Sequence, residues 1–77
     1  MLSIFDVNHL LEMDLRTAED ALKMTELGVD SLKLMLLIGL MEEQTPYRFT
    51  EDEIVVLRVK DVKAIVTGTY VKSEEQS

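Results

Sequence analysis

The stretch Glu26-Leu-Gly-Val-Asp-Ser-Leu-Lys-Leu-Met-Leu-Leu-Ile-Gly-Leu-Met-Glu-Glu43 joins a glycine turn to a long apolar run. Gly28 can take backbone angles that other residues avoid, which marks the turn. Asp30 has a short carboxylate suited to the first free amides of a helix and to its positive end. Asp30 therefore reads as the cap of a second helix and Ser31 as its first residue. Because the neighbour does the capping, the Ser31 hydroxyl is left free at the rim of the domain, where another protein could reach it.

This second helix is expected from Ser31 to Glu43 or Gln44, because Thr45-Pro46 cannot continue it. At about 100° per residue, Leu32, Leu34, Met35, Leu37, Ile38 and Met41 share a broad face, the expected core stripe. Lys33, Leu36, Leu40 and Glu43 fall on the other side. Leu36 and Leu40, one turn apart, are expected to be exposed or half covered, and clustered exposed apolar side chains mark partner contacts. Gly39, which costs a helix about 1 kcal/mol relative to Ala, lies near the same rim and would let a partner helix or a cargo chain come close.

Around this helix the chain supplies three shorter helical segments. From Leu2 to Met13 the residues Leu2, Phe5, Val7, Leu10, Leu11 and Met13 fall mostly at three- and four-residue intervals, the pattern of a helix with one buried face, with Ser3 as cap and Asp6 three residues on. His9, on the same element, has no Cys, Asp or Glu at ligand spacing and is assigned no chemistry. Asp14 to Gly28 reads as a long packed loop anchored by Leu15, Ala18, Ala21, Leu22, Met24 and Leu27, with one helical turn capped by Thr17. Tyr47 and Phe49 are expected against the core. Thr50-Glu-Asp-Glu53 has the capping-box pattern and begins a short helix through about Leu57, with Ile54 and Leu57 inward. Val59, Val62, Ile65 and Val66 recur at helical spacing and give the last helix, about Lys60 to Thr67 or Tyr70, ended by Gly68. The expectation is an all-α bundle of three main helices and a short one, with a long loop between the first two, over residues 1–71. Residues 72–77 are a polar tail that need not be ordered.

Composition bounds the function. A chain of 77 residues is one domain, burying about 60% of its unfolded surface. With 47% hydrophobic and 30% charged residues it is globular rather than disordered. There is no cysteine, hence no disulfide and no thiolate metal chemistry. The longest apolar stretch, Leu34 to Met41, is far below the roughly 20 residues of a membrane span, and no basic residues precede a signal core, so a cytoplasmic protein is expected. A net charge of −7 excludes a phosphate-backbone partner, which needs a basic surface. The lone histidine has no nucleophile to activate, and neither a glycine-rich phosphate loop nor a metal cluster occurs, so enzymatic activity is not expected. Glu51-Asp52-Glu53 reads as a solvated helix start, because three adjacent carboxylates point in different directions.

Glu-Leu-Gly-Val-Asp-Ser-Leu, followed by an apolar helix closing on Met41-Glu42-Glu43, resembles the modification site of acyl carrier proteins. The resemblance is strongest over Leu27 to Glu43, persists weakly through Thr50–Glu53 and Val59–Val62, and is slight before Asp20. It implies a 4′-phosphopantetheine arm attached to Ser31 by a phosphopantetheinyl transferase, with Asp30 and Leu32 as the flanking motif. The arm's thiol would then carry a thioester between acyl-loading and acyl-processing enzymes. It also implies docking along the second helix, where Asp30, Glu42 and Glu43 stand at acidic positions of the family pattern. Lys33 and Leu36 replace acids frequent in fatty-acid-synthesis members, which turns the expectation toward a dedicated carrier of a specialised pathway. With Leu40, these give Lys33, Leu36, Leu40, Glu42 and Glu43 as expected docking residues of a monomeric carrier. An aminoacyl or peptidyl carrier, and an unmodified helical adaptor or dimerisation domain using Leu36 and Leu40, are the alternatives.

Overall fold

A computed structural model describes residues 2–70. The chain forms four α-helices: α1 (Ile4–Leu11), α2 (Ser31–Gln44), α3 (Glu51–Val56) and α4 (Val59–Thr67). Single 3-10 turns at Leu15–Thr17 and Met24–Glu26 interrupt the long α1–α2 connection. The all-α architecture, the short third helix and the long connection follow the expectation. The tail expected over 72–77 lies outside the described residues.

Local chemistry explains the helix starts. In α1, Ser3 accepts from the Asp6 amide at 3.2 Å and the Asp6 carboxylate accepts from the Ser3 amide at 3.0 Å. Thr50 and Glu53 repeat this exchange at α3, with the Thr50 amide donating to Glu53 at 2.8 Å. At α4 only half of the device exists: the Arg58 amide donates to the Asp61 carboxylate at 2.9 Å. Two helix ends also share one geometry. After α4, the amides of Gly68 and Thr69 donate to the carbonyls of Ile65 and Ala64, with Gly68 at φ 80°. After α1, Glu12 and Met13 donate to His9 and Asn8 in the same pattern, so Glu12, at φ 57°, stands where glycine is the default.

The core draws on α1, α2 and α4 and on the segments that precede and connect them. Val7, Leu15, Met24, Leu37, Met41, Val59 and Val62 are fully buried, and no buried side-chain polar atom is left without a partner among the described residues. Ile54 and Leu57 pack inward as expected, and Tyr47 and Phe49 lie partly buried around Tyr70, whose carbonyl accepts from the Tyr47 hydroxyl at 2.9 Å. No helix is long and apolar enough to cross a membrane among the described residues.

Four sequence expectations are corrected by the packing. Leu32 and Met35, expected in the core stripe, are 66% and 53% exposed. The buried arc of α2 is narrower, formed by Leu34, Leu37, Ile38 and Met41. These four occupy only about 100° of the helix circumference, and α1 packs beside that arc. Phe5 is 64% exposed rather than buried, its ring covered by the Arg16 guanidinium at 5.1 Å. The helical turn expected to start at Thr17 does not form; a 3-10 turn capped by Asp14 ends at Thr17 instead, and the Thr17 hydroxyl donates back to the Asp14 carbonyl. Ala21 is exposed and its side chain takes no part in the core.

Asp14 is the centre of that turn. Its carboxylate takes two parallel bonds from Arg16, each 2.9 Å, and one from Asn8 at 3.0 Å, while Asn8 also accepts from the Leu15 amide at 2.8 Å. The Arg16 guanidinium first, and then the Arg16 amide, hold Asp14 down at about 2, well below the usual carboxylate range.

Candidate functional site

The segment that delivers Ser31 is clamped before it reaches the helix. The Met24 amide donates to the Leu57 carbonyl at 2.7 Å and the Val59 amide to the Leu22 carbonyl at 2.8 Å, around an isolated antiparallel bridge between Lys23 and Arg58. Flanking this clasp, the Lys60 amide donates to the Asp20 carbonyl, the Asp20 carboxylate pairs with Lys63 at 2.8 Å, and the Arg58 guanidinium donates to the Ala21 carbonyl. The α3–α4 junction thus holds the connection a few residues before the serine. The Met24–Glu26 turn follows, closed by the Lys23 amide on the Glu26 carboxylate at 2.7 Å.

Gly28 then reverses the chain at φ 76°, a backbone conformation that a side chain would strain. Asp30 is the cap of α2, as the sequence predicts: its carboxylate accepts from the Leu32 amide at 2.9 Å and its carbonyl from the Leu34 amide at 3.0 Å. Ser31 is the first helical residue and is exposed. Among the described residues nothing hydrogen-bonds its hydroxyl. The first turn of α2 holds no acid beyond the cap, in contrast to the first turns of α1, α3 and α4. The positive end of this one helix is therefore left without a carboxylate inside it.

The residues expected around Ser31 do not share one face. Leu32, next in the chain, points outward with Met35 and Leu36, the last 52% exposed. Lys33 turns the other way and pairs with Glu12 at the end of α1, whose carboxyl is held below its usual range by the Lys33 hydrogen bond and charge. Leu40 is half-buried, packed on the core below Lys33. Glu42 accepts from the Phe49 amide at 2.8 Å and braces the loop after α2, leaving Glu43 as the exposed acid of that helix end.

Chemically, the site is a reachable primary alcohol without a base to activate it, since no side chain among the described residues hydrogen-bonds the hydroxyl. No group of three or more His, Cys, Asp or Glu suited to a metal ion occurs among the described residues. An apolar groove of about 390 Å³, lined by Leu2, Pro46, Tyr47, Ile65 and Val66 among others, opens at the other end of α2. It stands about 20 Å along the helix from Ser31. Compared with models of protein families, with curated proteins and with solved structures, the chain matches none.

Proposed function

We propose that this chain is a carrier protein: Ser31 bears a 4′-phosphopantetheine arm whose thiol holds an acyl or related cargo as a thioester, presented in turn to the enzymes of a cytoplasmic biosynthetic pathway. The observation that carries this reading is the exposed, unengaged Ser31 hydroxyl at the entrance of α2, with end-capping transferred to Asp30. The residues present suit such a group. An anionic phosphodiester on Ser31 would lie beside a helix end whose first turn adds no acid to the cap.

In this reading the chain is a substrate and its partners are the catalysts. The Ser31 oxygen forms a bond to the pantetheine-side phosphorus of coenzyme A. The bond from that phosphorus to the bridging oxygen breaks, adenosine 3′,5′-bisphosphate departs with the electron pair, and the hydroxyl proton passes to a base of the phosphopantetheinyl transferase. Tethering raises the effective concentration of cargo at whichever enzyme docks the domain. The apolar outer side of α2 beside Ser31 supports a dedicated carrier of specialised polyketide or fatty-acyl metabolism, because a partner there meets Leu32, Met35 and Leu36 rather than a row of acids.

The test is mass spectrometry after incubation with a promiscuous phosphopantetheinyl transferase, Mg²⁺ and coenzyme A. Wild type gains the mass of one phosphopantetheine, and Ser31→Ala gains nothing. An unchanged wild-type mass, or an equal gain on Ser31→Ala, overturns the assignment.

A further inference from the structure

We propose that Met35 is a modification site: hydrogen peroxide converts its thioether to the sulfoxide, and the altered side chain slows the loading of Ser31. The effect on loading rests on the carrier reading, whereas the modification itself does not. Four of the five methionines lie among the described residues. Met24 and Met41 are fully buried, Met13 is half-buried against the core, and Met35 is 53% exposed. A peroxide must reach the sulfur lone pair, so a thioether enclosed in a packed core reacts only when the core opens. Burial therefore directs the oxidant to Met35.

Position gives the modification its consequence. Met35 follows Ser31 by four residues in α2, so the two share one face of the helix. Side chains of an α-helix tilt toward its N-terminus, and the long Met35 side chain leans back over the turn that begins at Ser31. An enzyme that closes on the Ser31 hydroxyl therefore covers this sulfur too. In the reaction, the sulfur attacks one oxygen of hydrogen peroxide, an S–O bond forms and the O–O bond breaks. The transferred oxygen gives its proton to the departing one, which leaves as water; sulfur loses the two electrons that the peroxide gains. A polar acceptor then stands where a flexible apolar group stood. Outside the core this costs the fold little. Under an enzyme that meets an apolar side chain there, the new oxygen must be stripped of water without a donor to replace it.

The full chain is treated with hydrogen peroxide, the excess is destroyed with catalase, and peptides are mapped by mass spectrometry. Met35 is expected to gain one oxygen at least about tenfold faster than Met24 or Met41. The chain oxidised at Met35 alone is expected to keep its thermal midpoint within about 2 °C of the untreated protein. It is expected to accept phosphopantetheine from a transferase at least about fivefold more slowly. Met35→Gln, which sets a polar group of similar size at that place, is expected to be slow without peroxide. Met35→Leu is expected to lose the fast oxygen uptake and to be loaded at one rate before and after peroxide. Oxidation of Met24 or Met41 as fast as that of Met35, a lowered midpoint on oxidation of Met35 alone, a loading rate that this oxidation leaves unchanged, or equal slowing of Met35→Leu each overturn the proposal. An untreated chain that accepts no arm overturns the carrier reading instead, while the order of oxidation and the midpoint still decide the modification site.

Discussion

Glu12 and Lys33 form an ion pair that joins the end of α1 to the first turn of α2. The pair rests on a strained backbone, for Glu12 occupies the left-handed position that Gly68 fills after α4. It turns Lys33 away from the outer side of α2 and makes α1 a neighbour of the Ser31 turn. An exposed pair contributes little to stability, while a left-handed residue other than glycine carries a definite cost. Glu12→Gly is therefore expected to raise the thermal midpoint by about 5 °C, measured by circular dichroism. A lower midpoint would show that the pair outweighs the strain.

The rotation of α2 about its axis is open to a two-residue comparison. Leu37 is fully buried and Met35 is half exposed, although they are separated by one residue. Leu37→Ala is expected to cost about 2–5 kcal/mol in urea denaturation, and Met35→Ala within about 0.5 kcal/mol of zero. Equal costs would place the core on a different side of the helix.

Much of this architecture is legible in single residues and their third neighbours. Ser3 with Asp6, Thr50 with Glu53, Asp30 before an apolar run and Gly68 after one are local signals, because the bonds that begin or end a helix reach only a few residues. The face of α2 is not legible in this way. Leucine, isoleucine or methionine occupies eight of the eleven positions from Leu32 to Glu42, so helical periodicity hardly distinguishes inside from outside. The choice is made by α1, through Val7, Leu11 and the Glu12–Lys33 pair, all distant in sequence. Phe5 departs from its pattern for a related reason: its spacing suits the core, yet Arg16, brought round by the Asp14 turn, covers the ring outside it. The clasp of Leu22–Met24 on Leu57–Val59 joins segments more than thirty residues apart and consists of main-chain bonds, which leave no mark on side-chain pattern.

At the entrance of α2, neighbouring side chains should behave in opposite ways. Asp30→Ala removes the acceptor for the Leu32 amide and is expected to cost about 1 kcal/mol in urea denaturation, most of it restored by Asp30→Asn. Ser31→Ala removes a hydroxyl with no partner among the described residues and is expected to change stability by less than about 0.5 kcal/mol. A large loss for Ser31→Ala would mean that the hydroxyl is structural.

The first turn after α1 should hold its charge well into acid, because Arg16 keeps the Asp14 carboxyl below its ordinary range. The Asp14 carboxyl, held at about 2 by Arg16 against an ordinary 3.8, is charged more readily in the folded chain than in the unfolded one. Its contribution is present above the unfolded value and is lost as pH falls from about 4 toward 2. Carboxyl ¹³C titration is expected to give Asp14 a midpoint near the lower figure, moving up toward the ordinary one in Arg16→Ala. A midpoint unmoved by that substitution would assign the shift to another cause.

The clasp between Leu22–Met24 and Leu57–Val59 also governs how freely this protein can drift in sequence. Its two linking bonds run from amide to carbonyl, so most replacements of Leu22, Lys23, Leu57 or Arg58 leave the linking atoms in place. Only proline at Met24 or Val59 deletes a donor outright. The support of the serine-bearing turn is thereby carried by main-chain atoms, and what restricts Met24, Leu57 and Val59 is the core they fill, so of the clasp's residues the half-exposed Lys23 is the freest to vary while the same alcohol is still offered at the same helix entrance.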